Sequence, residues 1–238
     1  MCTAKVQNNY ELRITNYKKD MRKLIFLSVL ACWTTGMSAQ EYWDGSRPDH
    51  RFTIGVRAGV NFSKQNNNGD GADMDYRVGF KAGVEADLNI VRSLSVNTGV
   101  YYTQKGYKSE YSDYRGSLKT TDNVGYIEIP VLASYRVKLS DAAQFQLNVG
   151  PYFAFGVSGK QKVKSTFAGQ DDYEIDSFDE YDGMKKSDIG IHAGAAVTYN
   201  NMYIGISYER GLKNVSNKTG ADFSNGSIGI SIGYNFNL

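Results

Sequence analysis

From Arg51 to Leu238, apolar side chains recur at every second position. Phe52, Ile54, Val56, Ala58, Val60 and Phe62 alternate with Thr53, Gly55, Arg57, Gly59 and Asn61. The same rhythm runs through 76–88, 94–103, 127–137, 145–157, 189–199, 202–208 and 228–238. Successive side chains of a strand point to opposite faces, so a period of two predicts β-strands with one apolar face. Eight such strands follow, most of them 10 to 13 residues long. A tilted membrane-spanning β-strand needs about 9–11 residues, whereas strands of soluble proteins usually run to about 5–6.

The connections alternate too. Short turns fall around Asn89–Ser93, Ser140–Ala142 and Asn200–Asn201, and long polar stretches cover 63–75, 109–125, 159–186 and 213–226. Short turns at one rim and long loops at the other are the habit of outer-membrane barrels, with the turns periplasmic and the loops extracellular. The expected fold is therefore all-β. It is an eight-stranded antiparallel up-and-down transmembrane β-barrel over residues 51–238, with both ends in the periplasm.

A period of two does not say which face points inward, and a soluble eight-stranded barrel with apolar residues inside shows the same alternation. Volume favours apolar-out, because an eight-stranded interior is only just wide enough for side chains to fill and the apolar phase is rich in Phe, Tyr, Ile and Leu. Glycine favours it as well. Gly55, Gly59, Gly79, Gly83, Gly99, Gly150, Gly190, Gly205 and Gly233 all sit on the polar phase, where they weaken a solvent-facing strand but leave room inside a narrow barrel. Arg57, Arg77, Lys81, Glu85, Asp87, Glu128, Arg136, Asp188, His192 and Glu209 share that phase, so buried charges of both signs can compensate one another. Aromatic residues at strand ends, such as Phe52, Tyr76, Tyr199, Tyr208 and Phe236, suit interfacial girdles.

Composition adds limits. The chain has 238 residues, a formal charge of +2 and a mean hydropathy of −0.44, which argues against nucleic acid as a partner. No apolar run is long enough for a spanning helix, a test that a barrel escapes. Residues 1–20 read as a non-native extension ahead of Met21. Residues 21–39 have the basic start, apolar core and small-residue tail of a signal peptide cleaved after Ala39, and 40–50 form a polar leader. Both cysteines, Cys2 and Cys32, precede that cleavage point, so the exported barrel carries no disulfide. A rival reading has Val29-Leu30-Ala31-Cys32 as a lipoprotein processing site with a lipid on Cys32.

Several stretches resemble the PorT-like outer-membrane β-barrel proteins. They are 52–62, Tyr126-Ile-Glu-Ile-Pro-Val-Leu132, Asn148-Val-Gly-Pro-Tyr-Phe153, Asp188-Ile-Gly-Ile-His-Ala-Gly194 and the aromatic last strand. The resemblance spans roughly residues 50–238 and implies an eight-stranded barrel inserted by the outer-membrane assembly machinery. That machinery reads a last strand usually ending in Phe, from which Phe236-Asn237-Leu238 departs. Membership implies little about activity.

No residue is singled out as catalytic, cofactor-binding or metal-binding. After cleavage the chain has no cysteine and two histidines. His50 lies in the leader, and His192 sits mid-strand within reach of Asp188, Glu128 or Glu209, as a member of a polar network. The acidic stretch Asp171-Asp172-Tyr-Glu174-Ile-Asp176 with Asp179, Glu180 and Asp182 lacks EF-hand spacing and reads as a solvated loop. Eight strands leave no wide pore. The long loops carry Tyr107, Tyr111, Tyr114, Tyr173 and Tyr181, a residue enriched at protein interfaces. The expectation is a monomeric, non-enzymatic envelope protein that contacts outer-membrane lipid and, through loops 109–125 and 159–186, an envelope or extracellular protein. The alternatives are a soluble secreted barrel carrying an apolar ligand, a rim-sited enzyme and a small pore.

Overall fold

The computed structural model describes residues 43–67, 74–167, 171–179, 183–217 and 222–238. The segments read from sequence as an extension and a signal peptide, with Cys32, lie outside the described residues.

Among the described residues, ten strands form one antiparallel sheet. They are β1 (Phe52–Asn67), β2 (Asp75–Val91), β3 (Leu94–Lys105), β4 (Tyr107–Asp113), β5 (Gly116–Lys138), β6 (Ala143–Ser165), β7 (Tyr173–Asp176), β8 (Ser187–Tyr199), β9 (Met202–Gly211) and β10 (Phe223–Asn237). Eight of them close into a ring, in the order β1-β2-β3-β5-β6-β8-β9-β10 and back to β1. Val56 is paired with both Val84 of β2 and Tyr234 of β10, so the first and last strands are neighbours.

The ring holds the eight strands that alternation picks out. The two others correct the expected loops. Residues 109–125 are the rest of β4 and the outer part of β5, and 159–186 contain the outer part of β6 with β7 paired to it. Polar alternation continues into these segments, where the missing apolar rhythm had suggested loop.

Which face is inside is now settled by burial. Along β1, Thr53, Arg57, Asn61, Ser63 and Gln65 are buried while Ile54, Val56, Val60 and Phe62 are exposed. β9 and β10 repeat this with exposed Ile204, Ile206, Ile228, Ile230 and Ile232. The apolar-inside alternative is thereby excluded. The polar-phase glycines do make room: a Cβ on Gly190 would lie 2.5 Å from the Tyr152 ring, and one on Gly233 would lie 2.6 Å from Arg57 Cδ.

The ring is cut short at one rim by tight turns. Between β8 and β9, Asn200 (φ 45°) and Asn201 (φ 69°) take the left-handed conformation of a two-residue hairpin. Asn tolerates this region better than most residues. The leader is tied to the same rim, since Asp44 N donates to Ser93 Oγ at 2.6 Å and Arg92 N donates to Ser46 O at 3.0 Å. Among the described residues no helix is long and apolar enough to cross a membrane.

Candidate functional site

The interior is a stack of paired charges. Nearest the turns, Arg136 Nη2 lies 2.9 Å from Asp87, and Asn97 Nδ2 donates to the same carboxylate at 3.0 Å. One layer further in, Arg57 pairs with Glu85 and stacks 3.9 Å over the Tyr203 ring, while Tyr101 Oη donates to Glu85 at 2.6 Å. At mid-height, Lys81 Nζ lies 2.6 Å from Glu128 and 2.8 Å from Glu209. Lys105 Nζ lies 2.7 Å from Glu128 and 2.9 Å from Glu209. Two lysines and two carboxylates thus form a closed, alternating square. Both lysines have an aromatic neighbour, Tyr101 under Lys81 at 4.6 Å and Tyr152 under Lys105 at 4.3 Å.

His192 joins this square, with Nδ1 3.2 Å from Glu209. It therefore sits in the network that its lumen-phase position predicts. Asp188 is held by Asn225 Nδ2 at 2.9 Å and by Tyr152 Oη at 3.2 Å. Around the square, the free space bounded by Arg57, Lys81, Glu85, Tyr101, His192 and Glu209 is about 40 Å³. That is room for a few waters, each needing about 10–15 Å³.

Lys105 was missed in sequence because the alternation of the third strand was ended at Thr103. The strand runs two residues further in the same phase, and that continued polar phase was the available signal. Arg77, by contrast, is drawn into no ion pair among the described residues, and its Nη1 has no hydrogen-bond partner.

The loop end is built differently. Pairing of β5 with β6 slips where Tyr126 faces Gly156 but Gly125 faces Ser158, leaving Val157 as an extra residue on β6. Such a bulge re-aims the strand beyond it. Below it Phe153, Phe155 and Val157 point outward; above it Lys160, Lys162 and Lys164 do, and Val163 turns in to become 4% exposed. A small apolar cluster of Val124, Tyr126, Tyr152 and Ala154, joined by Phe178 and Met184, fills this end. Phe178 meets the Tyr126 ring edge-on at 6.5 Å. Its segment is anchored by Met184 N donating to Ser177 O at 2.7 Å and Lys185 N donating to Val215 O at 2.7 Å.

An apolar outer wall around a charged, filled interior is the arrangement an outer-membrane barrel requires, and the sequence profile of the outer membrane protein beta-barrel domain matches residues 38–217. The chain belongs to the outer membrane protein beta-barrel domain family. It is an outer-membrane protein, and its outward apolar rows face lipid. No curated protein matches the sequence significantly.

Among solved structures, similar ones include Ail, the attachment invasion locus protein of Yersinia pestis, at 16% identity and TM-score 0.39, covering 77% of this chain and 98% of that one. Neisserial surface protein A is similar at 16% identity and TM-score 0.39, covering 77% and 97%. OprG from Pseudomonas aeruginosa has 12% identity and TM-score 0.43, covering 82% and 100%. At these scores the likenesses carry no argument of their own, and the family assignment rests on the profile.

Of the loop tyrosines, Tyr111, Tyr114 and Tyr173 of this barrel protein are exposed, Tyr114 at 87%. Tyr107 instead turns in to accept a hydrogen bond from Gln161 Nε2 at 2.9 Å. Tyr181, Glu180 and Asp182 lie outside the described residues. The rest of the acidic stretch is spent locally: Glu174 sits 2.6 Å from Lys160 and 3.4 Å from Lys162, and Asp172 accepts from Ser165 N at 3.0 Å. The Lys160 ammonium donates to Glu174 and thereby holds its carboxyl below the usual range. Among the described residues no three metal-ligating side chains converge. His50 lines the turn-side mouth, where its carbonyl accepts from Asn89 Nδ2 at 2.8 Å.

Proposed function

We propose that this outer-membrane barrel is a non-enzymatic, monomeric docking or adhesion protein that works through its loop end. In this reading the short turns face the periplasm, and the raised sheet of β4, outer β5, outer β6 and β7 stands outside the cell. The observation that carries it is the contrast between the two ends of the molecule. The interior is filled by compensated charge with about 40 Å³ free at its centre, which suits neither a wide channel nor a ligand carrier. The loop end lifts a sheet clear of the apolar band, with exposed Tyr111 and Tyr114 on its β4–β5 hairpin and exposed Tyr173 on β7. Rigid aromatic groups on a sheet give contact area at low entropic cost. The finer PorT-like assignment belongs to this reading, and it agrees with a barrel that serves other envelope proteins rather than a reaction.

The test is a variant in which residues 109–120 are replaced by a two-residue Asn-Gly turn between the paired Lys108 and Thr121. The heat-dependent gel shift of a closed barrel should persist, while binding to host cells or to cross-linked envelope partners should be lost. Undiminished binding by a folded variant would sink the proposal.

A further inference from the structure

The loop-end mouth holds a half-enclosed cavity of about 590 Å³, within the size range of small-molecule sites, roughly 300–1,000 Å³. Its lining is mixed, and the apolar part of it is soft, with Met74, Met184, Ile175 and Phe223 set beside Gln65, Gln161 and Ser216. Thioethers and aromatic rings of this kind adapt to varied apolar shapes. Asp122, Asp176 and Asp179 also line it, and among the described residues no Lys, Arg or His does.

Asp122 stands above Ile127, the uppermost outward apolar residue of β5, so it lies outside the membrane-spanning part. The residue is 2% exposed, and the Ser177 hydroxyl donates to it at 2.5 Å. Three groups feel its charge: Arg77 of β2, Tyr107 of β4 and Tyr126 of the same strand, β5. Burial pushes its carboxyl up to about 6, against the opposing pull of Ser177, the Asn123 N–H and Arg77. Burial of the Tyr107 phenol, with the Asp122 charge beside it, pushes that group up to about 12, so it stays neutral. A buried carboxylate supported mainly by neutral donors is under-compensated.

We propose that this cavity binds a small organic cation, with an ammonium group seated at Asp122 and an apolar body laid against Met74, Met184, Ile175 and Phe223. The assignment is independent of the docking role, since it needs neither a protein partner nor the outward orientation of the loop end. An anion is disfavoured by the three carboxylates, and a neutral molecule leaves Asp122 as it is.

The experiment uses the full barrel in detergent micelles or nanodiscs, with phenethylammonium and its neutral isostere 2-phenylethanol as probes, followed by ligand-observed NMR. At pH 7.5 the cation should bind about tenfold more tightly, the scale of one charge-assisted hydrogen bond. That preference should disappear in Asp122→Asn and persist in Asp176→Asn. It should also fall away in the unaltered protein at pH 5, where Asp122 is protonated and the probe is still charged. This pH series decides the matter if the Asp122→Asn barrel does not fold, as read from its heat-dependent gel shift. Equal binding of the two probes at pH 7.5, or a preference surviving at pH 5 or in Asp122→Asn, overturns the proposal. So does a cavity that takes an oligolysine peptide and ignores phenethylammonium.

Discussion

The lower ring and the raised loop end share strands β5 and β6, yet they obey opposite rules. In the ring the outside is apolar and the inside is charged. Above the Val157 bulge the outside is Lys160, Lys162, Lys164 and Lys119, and the inside holds Val124, Val163 and Phe178 with the buried carboxylate of Asp122. The same two strands are thus a membrane protein in one half and a soluble protein in the other. The solvent sets the rule: lipid cannot accept charge and water does not reward exposed Ile. Electrostatics differ in kind as a result. A pair such as Lys105–Glu128 is about 1% or less exposed on both sides, whereas Lys119–Glu110 stands half in water at 3.0 Å.

The largest expected effect comes from the ring. Glu128→Gln leaves Lys81 and Lys105 sharing Glu209 alone, and breaking a buried pair costs about 3–5 kcal/mol. The urea midpoint for loss of the folded gel band should drop accordingly, and an unchanged midpoint would refute the square as a structural unit. Inserting one alanine after Val157 should come next, because the bulge absorbs a single extra residue and a second one shifts the strand beyond it by one position. Outer β6 would then present Lys160, Lys162 and Lys164 inward and Val163 outward. Limited proteolysis should cut between 158 and 178 while the lower ring stays protected, and an uncut variant would show that the bulge does not control the polarity switch.

A third effect concerns Asp122→Asn and has a defined sign. The folded carboxyl titrates near 6, above its unfolded value of about 3.9, so the folded state holds the proton more tightly. Stability of the loop end therefore falls as pH rises from about 4 to about 6, and the full cost is present above that. Asn removes this cost, stabilising by about 3 kcal/mol above pH 6 and by almost nothing below pH 4. Hydrogen exchange of β5 amides 118–124 across this range checks it. The smallest effect is Glu110→Gln, where loss of an exposed pair should change stability by about 0.5 kcal/mol or less. A larger shift would mean that the raised sheet is more tightly coupled than its exposure suggests.

The same contrast explains what was legible in the sequence. Ring strands could be read residue by residue, because lipid outside and a tight interior force strict alternation, and Arg57, Glu85, Glu128 and Glu209 fell on the correct face. The raised sheet was read as loop for two reasons. Its outward residues are polar, so Thr120–Asp122 and Lys160–Lys164 show no apolar row. The extra residue at Val157 also breaks the count of two, and an alternation carried straight through it would have put three lysines indoors. Asp122 lay in a segment read as loop. The cavity beside it depends on Met74, Met184 and Phe223, which are far apart in sequence and meet only once the ring has closed.

That closure pairs Thr53 with Asn237, the strand partners furthest apart in sequence among the described residues. Until β10 arrives, β1 and β9 each present a bare hydrogen-bonding edge, the kind of surface on which sheets aggregate. Contacts of such long sequence separation form slowly. Assembly therefore has a waiting period whose length is set by the rest of the polypeptide, and the earliest strand is the one most in need of escort. Substitutions that weaken the β1–β10 seam should appear first as lost yield in the cell and only later as lost stability in the finished barrel.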